Sequence, residues 1–401
     1  MLAFLRRWPW LLSGLVLLGL FWYMTGPGFG GTGDSVNYLW AAKTWRESGR
    51  LLAPDGQPYR YWGPLYPVLL AGFYSPAAVR VLHGGALLVQ LALWALLGRW
   101  LLPAGRTGVL PWLLALSAAV LVPAGFIWSE TVFGALAAAY VVAVLGWVRN
   151  GGRGWLGLAT AAGFLLPLQR TSGFFLLAGV GAGLLLTGLW RGRGWALLLH
   201  WAGCAAGGLA WNYYAEVLAG PPTYQLHQPW NAVGSLADYG FVLARWVVPL
   251  AASWRNAAPG LWAAALPVLL FGLFPKAGMA PAAASLQAPA QWPGQPLRLL
   301  WWTVLISIIA LLFATYADRA APGPHDAERY CAVLVGPVLL LALARWPAAG
   351  RWGRRLGSVL LGAWLAYSAV RAGHNAQQQR QRPPLAWPAA LAPPARVPAP
   401  F

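Results

Sequence analysis

With 401 residues, 59% of them hydrophobic and only 9% charged, the chain has the makeup of a polytopic membrane protein, not of a soluble enzyme. Its apolar runs are about 17 to 25 residues long and lack the two-residue alternation of membrane strands; this excludes a barrel and leaves an all-α bundle in which each backbone polar group is satisfied within its own helix. The 28 Lys and Arg against 9 Asp and Glu give a formal charge of +19, and because the arginines fall in short loops, the excess reads as topology setting and excludes nucleic acid as a partner.

Arg6 and Arg7 precede a first apolar helix over about residues 8–24. This basic flank sets the N-terminus in the cytoplasm, and with no small-residue cleavage site the segment is expected to stay as the first span. Residues 33–73 then fall on the opposite face and organise the rest. Between two strongly apolar segments they carry Asp34, Glu47 and Asp55, a third of the 9 carboxylates. Residues 35–52 predict an amphipathic helix, with Val36, Tyr38, Leu39, Trp40 and Trp45 set against Lys43, Arg46, Glu47 and Arg50. Pro58, Pro64 and Pro67 break any helix in the PDGQPYRYWGPLYP turn that follows.

Further spans are expected at about 77–102, 109–127, 132–148, 155–168, 173–190 and 196–218. Arg99, Arg106, Arg149, Arg153, Arg191 and Arg193 fall in the cytoplasmic connections, while Glu130 and Arg170 fall at outer ends. A polar loop over 220–240 holds His227, Trp230, Asn231, Asp238 and Tyr239, and residues 241–254, too short to span and carrying Arg245, read as interfacial or re-entrant. Then come a span at 259–274, an Ala-, Pro- and Gln-rich loop at 275–296 expected to be mobile, and spans at 299–316, 331–344 and 356–370. Counting places the C-terminal tail outside, whereas Arg371, Arg380 and Arg382 argue for inside, so the expected total is about ten to twelve spans. The expected organisation is one bundle over 1–371, with 25–76 as its outer catalytic loop, followed by a Pro- and Gln-rich tail over 372–401.

On this topology every carboxylate except Glu216, which lies near the end of its span, falls on the non-cytoplasmic face. Longer outer loops explain part of that clustering; an outward-facing acidic site explains the rest. Asp34 and Glu130 are the pair of interest, each near a helix end where bundling brings them together. Paired carboxylates divide general-base work from holding a cation or a divalent metal, because one charge shifts the other's pKa. Arg170, beside Gln169 at a helix junction, and Arg329, before Tyr330 and the next span, suit either a lipid phosphate or snorkelling to headgroups. Trp62 and Tyr66 in the YWGPLYP turn, with Tyr330, are the aromatic candidates for substrate contact. His325 lacks a second His or Cys at ligand spacing and reads as a solvated loop residue; Glu47 reads as part of a solvated helix face. Cys204 and Cys331 lie in or beside apolar runs and indicate neither a disulfide nor a thiolate metal site, and GFGGTG lacks the strand context of a phosphate loop.

In order, these segments (GDSVNYLWAA, YWGPLYPVLLA, WSE, QRTSGFFLLAG and ERYCAVLVGPVLLLAL) resemble the GT-C class of polytopic glycosyltransferases, over about residues 8–344. Within that class the chain looks most like bacterial relatives of the protein mannosyltransferases and the lipid A aminoarabinose transferases. The resemblance implies a GT-C-like bundle in the bacterial inner membrane with its active site on the periplasmic side. It implies transfer of a sugar from a polyprenyl-phosphate carrier to a lipid, glycan or protein acceptor. Asp34 matches the family's catalytic acid and Glu130 its second acid, sometimes a metal ligand; Arg170 and Arg329 match the basic residues that hold the carrier phosphate. The first loop departs in having Asp34 alone where an Asp-Glu pair is usual, and the sequence shows no soluble outer domain of the kind larger members carry. A transporter or lipid flippase is the main rival reading and a noncatalytic envelope scaffold the third; the first predicts midplane acids and repeated broken helices.

Overall fold

The computed structural model describes residues 9–60, 62–219, 232–248, 250–251, 253–275, 294–316, 323–346, 350–385 and 387. Over these residues the chain is all-α. The ordered helices are α1 (Pro9–Thr25), α2 (Gly33–Ser48), α3 (Leu65–Gly72), α4 (Pro76–Leu101), α5 (Val109–Ala115), α6 (Ala118–Ala124), α7 (Glu130–Asn150) and α8 (Arg153–Gln169). They continue with α9 (Gly173–Leu186), α10 (Gly194–Tyr213), α11 (Ala232–Val247), α12 (Pro259–Gly272), α13 (Gln295–Tyr316), α14 (Gly323–Cys331), α15 (Val335–Arg345) and α16 (Gly350–Gln381). Among the described residues five helical stretches are long and apolar enough to cross a membrane, and three shorter apolar helices accompany them. The chain is an integral membrane protein.

The bundle is built around α7, which packs between α4 and α8 and buries 89% of its apolar window inside the protein. A helix this uniformly apolar and small, with Gly134, Ala135, Ala137, Ala138, Ala139 and Gly146, suits a central position, because small side chains let neighbouring backbones come close. Outside it, α8 packs on α10, α9 on α13, α11 on α12, and α1 against α4, α5 and α16.

Several boundaries differ from the sequence reading. The span expected over 109–127 is two helices parted at Leu116 and Ser117. Residues 232–247, expected as the end of a polar loop and the start of a re-entrant segment, are instead the continuous helix α11, paired with α12. Asp238 is wholly buried on it, with Arg255 Nε donating at 2.6 Å, so the helix carries its carboxylate inward as an ion pair and not into a loop. His227, Trp230, Asn231 and the loop over 276–293 lie outside the described residues, as do Asp318, Arg319 and the His325 side chain.

The last helix runs to Gln381, past the tail boundary expected at 372. Its end lies on the Asp34 side: Leu385 N donates to Phe29 O at 2.8 Å and Arg380 Nη1 to Tyr23 O at 2.9 Å. The three arginines expected to favour the other face each have partners here. Arg371 pairs with Glu328, Arg380 covers the Tyr23 ring and Arg382 covers the Phe126 ring.

Candidate active site

The first loop is stitched to the start of α7. Gly30 N donates to Gly125 O at 2.9 Å, which forms a single parallel bridge between Gly30 and Phe126. Thr32 then caps α2 reciprocally with Ser35: the Ser35 amide donates to Thr32 Oγ1, and the Thr32 amide to Ser35 Oγ at 3.2 Å. The Trp128 indole also donates to Thr32 Oγ1, at 2.8 Å. These contacts fix the first turn of α2, and Asp34 with it, beside Glu130 in the first turn of α7.

Two arginines complete the cluster. Arg170 follows the last residue of α8 in extended conformation and reaches Glu130 Oε1 at 2.6 Å and Ser129 Oγ at 3.1 Å through Nη1. Arg329, in the last turn of α14, donates from Nε to Glu130 and from Nη2 to Asp34. Its guanidinium lies 4.1 Å over the centre of the Trp128 ring. The two acids therefore sit at helix N-termini and the two arginines at helix C-termini, each where the helix dipole favours its sign, by about 0.3–1 kcal/mol apiece. Four helix ends converge at one point with matched charges.

Burial separates the two acids. The Glu130 side chain is 4% exposed, with Arg170 11% and Arg329 12% exposed, whereas Asp34 is 22% exposed. Glu130 thus holds both guanidinium groups from the inner side, and Asp34 is the more exposed of the two acids. Arg329 bridges the two carboxylates, and among the described residues no group of three or more His, Cys, Asp or Glu is placed to hold a metal ion.

A layer of tyrosines supports the cluster. Tyr38 shares a hydrogen bond with Ser129 Oγ at 3.0 Å and packs its ring on Trp62 and edge-on to Tyr66. Burial, partly offset by the charge of Arg170, raises the Tyr38 pKa above the ordinary tyrosine range, so it acts as a neutral hydroxyl. Tyr66 is fully buried and meets His83 Nε2 at 2.7 Å, while His83 Nδ1 lies 3.2 Å from Ala124 O. A carbonyl only accepts, so Nδ1 donates to it and the Tyr66 hydroxyl donates to Nε2. Tyr66 is therefore a buttress without a face for substrate, unlike the role expected of it. Trp62 is half-buried, with its carbonyl taking the Trp211 indole at 3.1 Å. Tyr330 is half-buried and packs on the core.

The YWGP turn comes unusually close to the end of α8. A Cβ at Gly63 would lie 2.0 Å from Leu168 O and 2.9 Å from Gln169 C, which only glycine permits. Gln169, wholly buried, donates to Ser129 O at 3.0 Å and so ties the residue before Arg170 to the residue before Glu130. Glu47 and Asp55 are exposed and stand apart from the cluster, Asp55 receiving the Gln57 amide at 3.0 Å in a tight turn. A mostly apolar groove of about 1310 Å³ lies between α8 and α10, lined by Arg153 and Arg193 at the other end of α8 from Arg170.

Trp128 and Ser129 are the site residues that the sequence reading passed over. Their signal was the WSE triplet itself, which places a flat ring, a hydroxyl and a carboxylate at one helix start.

No family model matches the chain, and no curated protein matches it by sequence. Among the solved structures that match it in fold are two of ArnT from Cupriavidus metallidurans. The apo form superposes with a TM-score of 0.58 at 14% identity, covering 95% of this chain and 76% of that one. The form bound to undecaprenyl phosphate superposes with a TM-score of 0.54 at 13% identity, covering 92% and 75%. At such identities the likeness is one of fold, and it is the all-α, GT-C-like fold expected from the sequence.

Proposed function

On an ArnT-like fold carrying this cluster, we propose that the protein is a membrane glycosyltransferase. It takes a sugar from a polyprenyl-phosphate carrier and passes it to an acceptor hydroxyl on the non-cytoplasmic face of a bacterial inner membrane. The observation that carries this reading is the sharing of Arg329 between the partly exposed Asp34 and the buried Glu130, with Arg170 on the same Glu130 oxygen. The likeness to a protein crystallised with undecaprenyl phosphate supports the choice of carrier.

The chemistry follows from the roles those burials suggest. A carrier phosphodiester brings an anion that competes with Asp34 for Arg329, a guanidinium suited to two-point phosphate contact. Once the phosphate holds Arg329, the Asp34 carboxylate is released to accept a proton. The acceptor hydroxyl gives its proton to Asp34 while its oxygen attacks the anomeric carbon, and the carbon–phosphate oxygen bond breaks with its electron pair left on the phosphate. Attack opposite the leaving group inverts the anomeric centre. Arg329 and Arg170 stabilise the charge that gathers on the leaving phosphate, and Glu130 keeps both aimed at it.

Native mass spectrometry of the purified protein, supplied with polyprenyl phosphate, tests the reading. Wild type should hold the carrier, and Arg329→Ala or Arg170→Ala should hold it far more weakly, with residual binding measurable only at high carrier. Wild-type protein that stays free of carrier when it is in excess would move the weight to the transporter reading and remove the roles given to both arginines.

A further inference from the structure

Glu328, the residue before Arg329, has its own set of partners. Arg371 of α16 donates from Nη2 to both of its oxygens, at 2.7 and 3.0 Å, and from Nη1 to Arg245 O at 3.4 Å. The Trp246 indole donates to the same Glu328 Oε1 at 3.3 Å, and the Trp246 carbonyl receives the Trp364 indole at 2.9 Å. The Arg371 side chain is 10% exposed and that of Glu328 18%, so this is a largely sequestered ion pair with neutral donors around it. It belongs to neither the acidic pair nor the two arginines of the cluster.

Successive side chains on a helix point about 100° apart. On α14 Glu328 accordingly faces α11 and α16, while Arg329 faces α2 and α7. A helix of nine residues is too short to hold its own conformation in isolation, so its anchors set its rotation. Arg329 reaches about 7 Å from the helix axis, and a 20° turn of α14 would carry its guanidinium about 2 Å, enough to lose hydrogen-bond geometry. We propose that Arg371 is a positioning residue for transfer: by holding Glu328 it fixes the rotation of α14 and so aims Arg329 at the carrier phosphate. The inference rests on the reading of Arg329 given above. It also gives the last helix, whose charges the sequence left without a role, a function at the site.

A double-mutant cycle on the full-length protein tests this with polyprenyl phosphate as the probe. In otherwise wild-type protein, Arg371→Met should weaken carrier binding by about 10- to 100-fold, and Arg371→Lys, which keeps the charge but not the second nitrogen that reaches Arg245 O, should fall between. In an Arg329→Ala background, Arg371→Met should cause no further loss, because the residue it aims is gone. Folded Arg371→Met with wild-type affinity, or an equal loss in both backgrounds, overturns the proposal. If Arg371→Met does not fold, Trp246→Phe, which removes one donor to Glu328, takes its place: weaker binding only where Arg329 is present supports the proposal, and unchanged binding overturns it. Wild-type protein that fails to bind the carrier at all would instead withdraw the function on which this rests.

Discussion

Asp34→Asn separates a chemical role for Asp34 from a structural one. The substitution keeps the shape and an oxygen that can still accept from Arg329, but removes the charge and the proton-accepting capacity. Asp34 is 22% exposed and Arg329 keeps Glu130 and the Trp128 ring as partners. The lost pair is therefore partly solvent-screened and contributes about 0.2–1 kcal/mol, with a similar amount from the helix terminus. Loss of a general base costs about 10²- to 10⁴-fold in turnover. Stability and activity should thus come apart, with melting in detergent close to wild type and transfer nearly abolished.

The carrier-binding arm has a definite sign. In wild type the phosphate must displace Asp34 from Arg329; in Asp34→Asn its competitor is a neutral amide. Carrier affinity should be unchanged or stronger, by up to about fivefold if the released pair is near the upper end of its range. Transfer followed at saturating carrier, with binding measured separately by native mass spectrometry, reads both arms. Wild-type turnover in Asp34→Asn would refute the assignment of the base. Turnover lost in step with carrier affinity would refute the competition, and Asp34 would then be part of the binding scaffold.

Glu130→Gln should behave oppositely. Its carboxylate is 4% exposed and holds two arginines, and breaking such a buried arrangement by removing one partner costs about 3–5 kcal/mol; a large fall in melting temperature with weakened carrier binding is expected, and a stable, fully active variant would show that Glu130 is not what holds them. Gly63→Ala would place its Cβ against the Leu168 and Gln169 backbone, which cannot swing aside. A loss of about 1–3 kcal/mol with reduced turnover is expected, since the end of α8 carries Arg170, and an unchanged melt would contradict the close approach.

The bundle was legible because lipid leaves few alternatives: apolar runs of spanning length are helices, and their Arg-bearing loops set direction. Asp34 and Glu130 stood out because charge is scarce and each lies at a predicted helix start. Their shared partner did not, since nearly three hundred residues separate Asp34 from Arg329 and only packing brings them together. α11 was missed for a similar reason. Asp238 and Arg245 make its sequence look too polar for an interior helix, and the partner that neutralises Asp238, Arg255, lies on the next segment. Tyr66 was misjudged in the other direction: an aromatic beside a proline turn reads as a platform, but here its hydroxyl is taken by His83, itself buried in α4.

The charge balance of the cluster bears on the order in which substrates enter. Two carboxylates and two guanidinium groups leave it near neutral, and on the proposed function the base is tied to a ligand of the carrier phosphate. An acceptor arriving first would meet an Asp34 whose Oδ2 is held by Arg329 and would find no sugar to attack. A carrier arriving first supplies the anion that takes over Arg329, and in doing so frees Asp34 beside the anomeric carbon. On the proposed function the resting ion pair is therefore a latch that the donor opens, and binding should be ordered with carrier before acceptor.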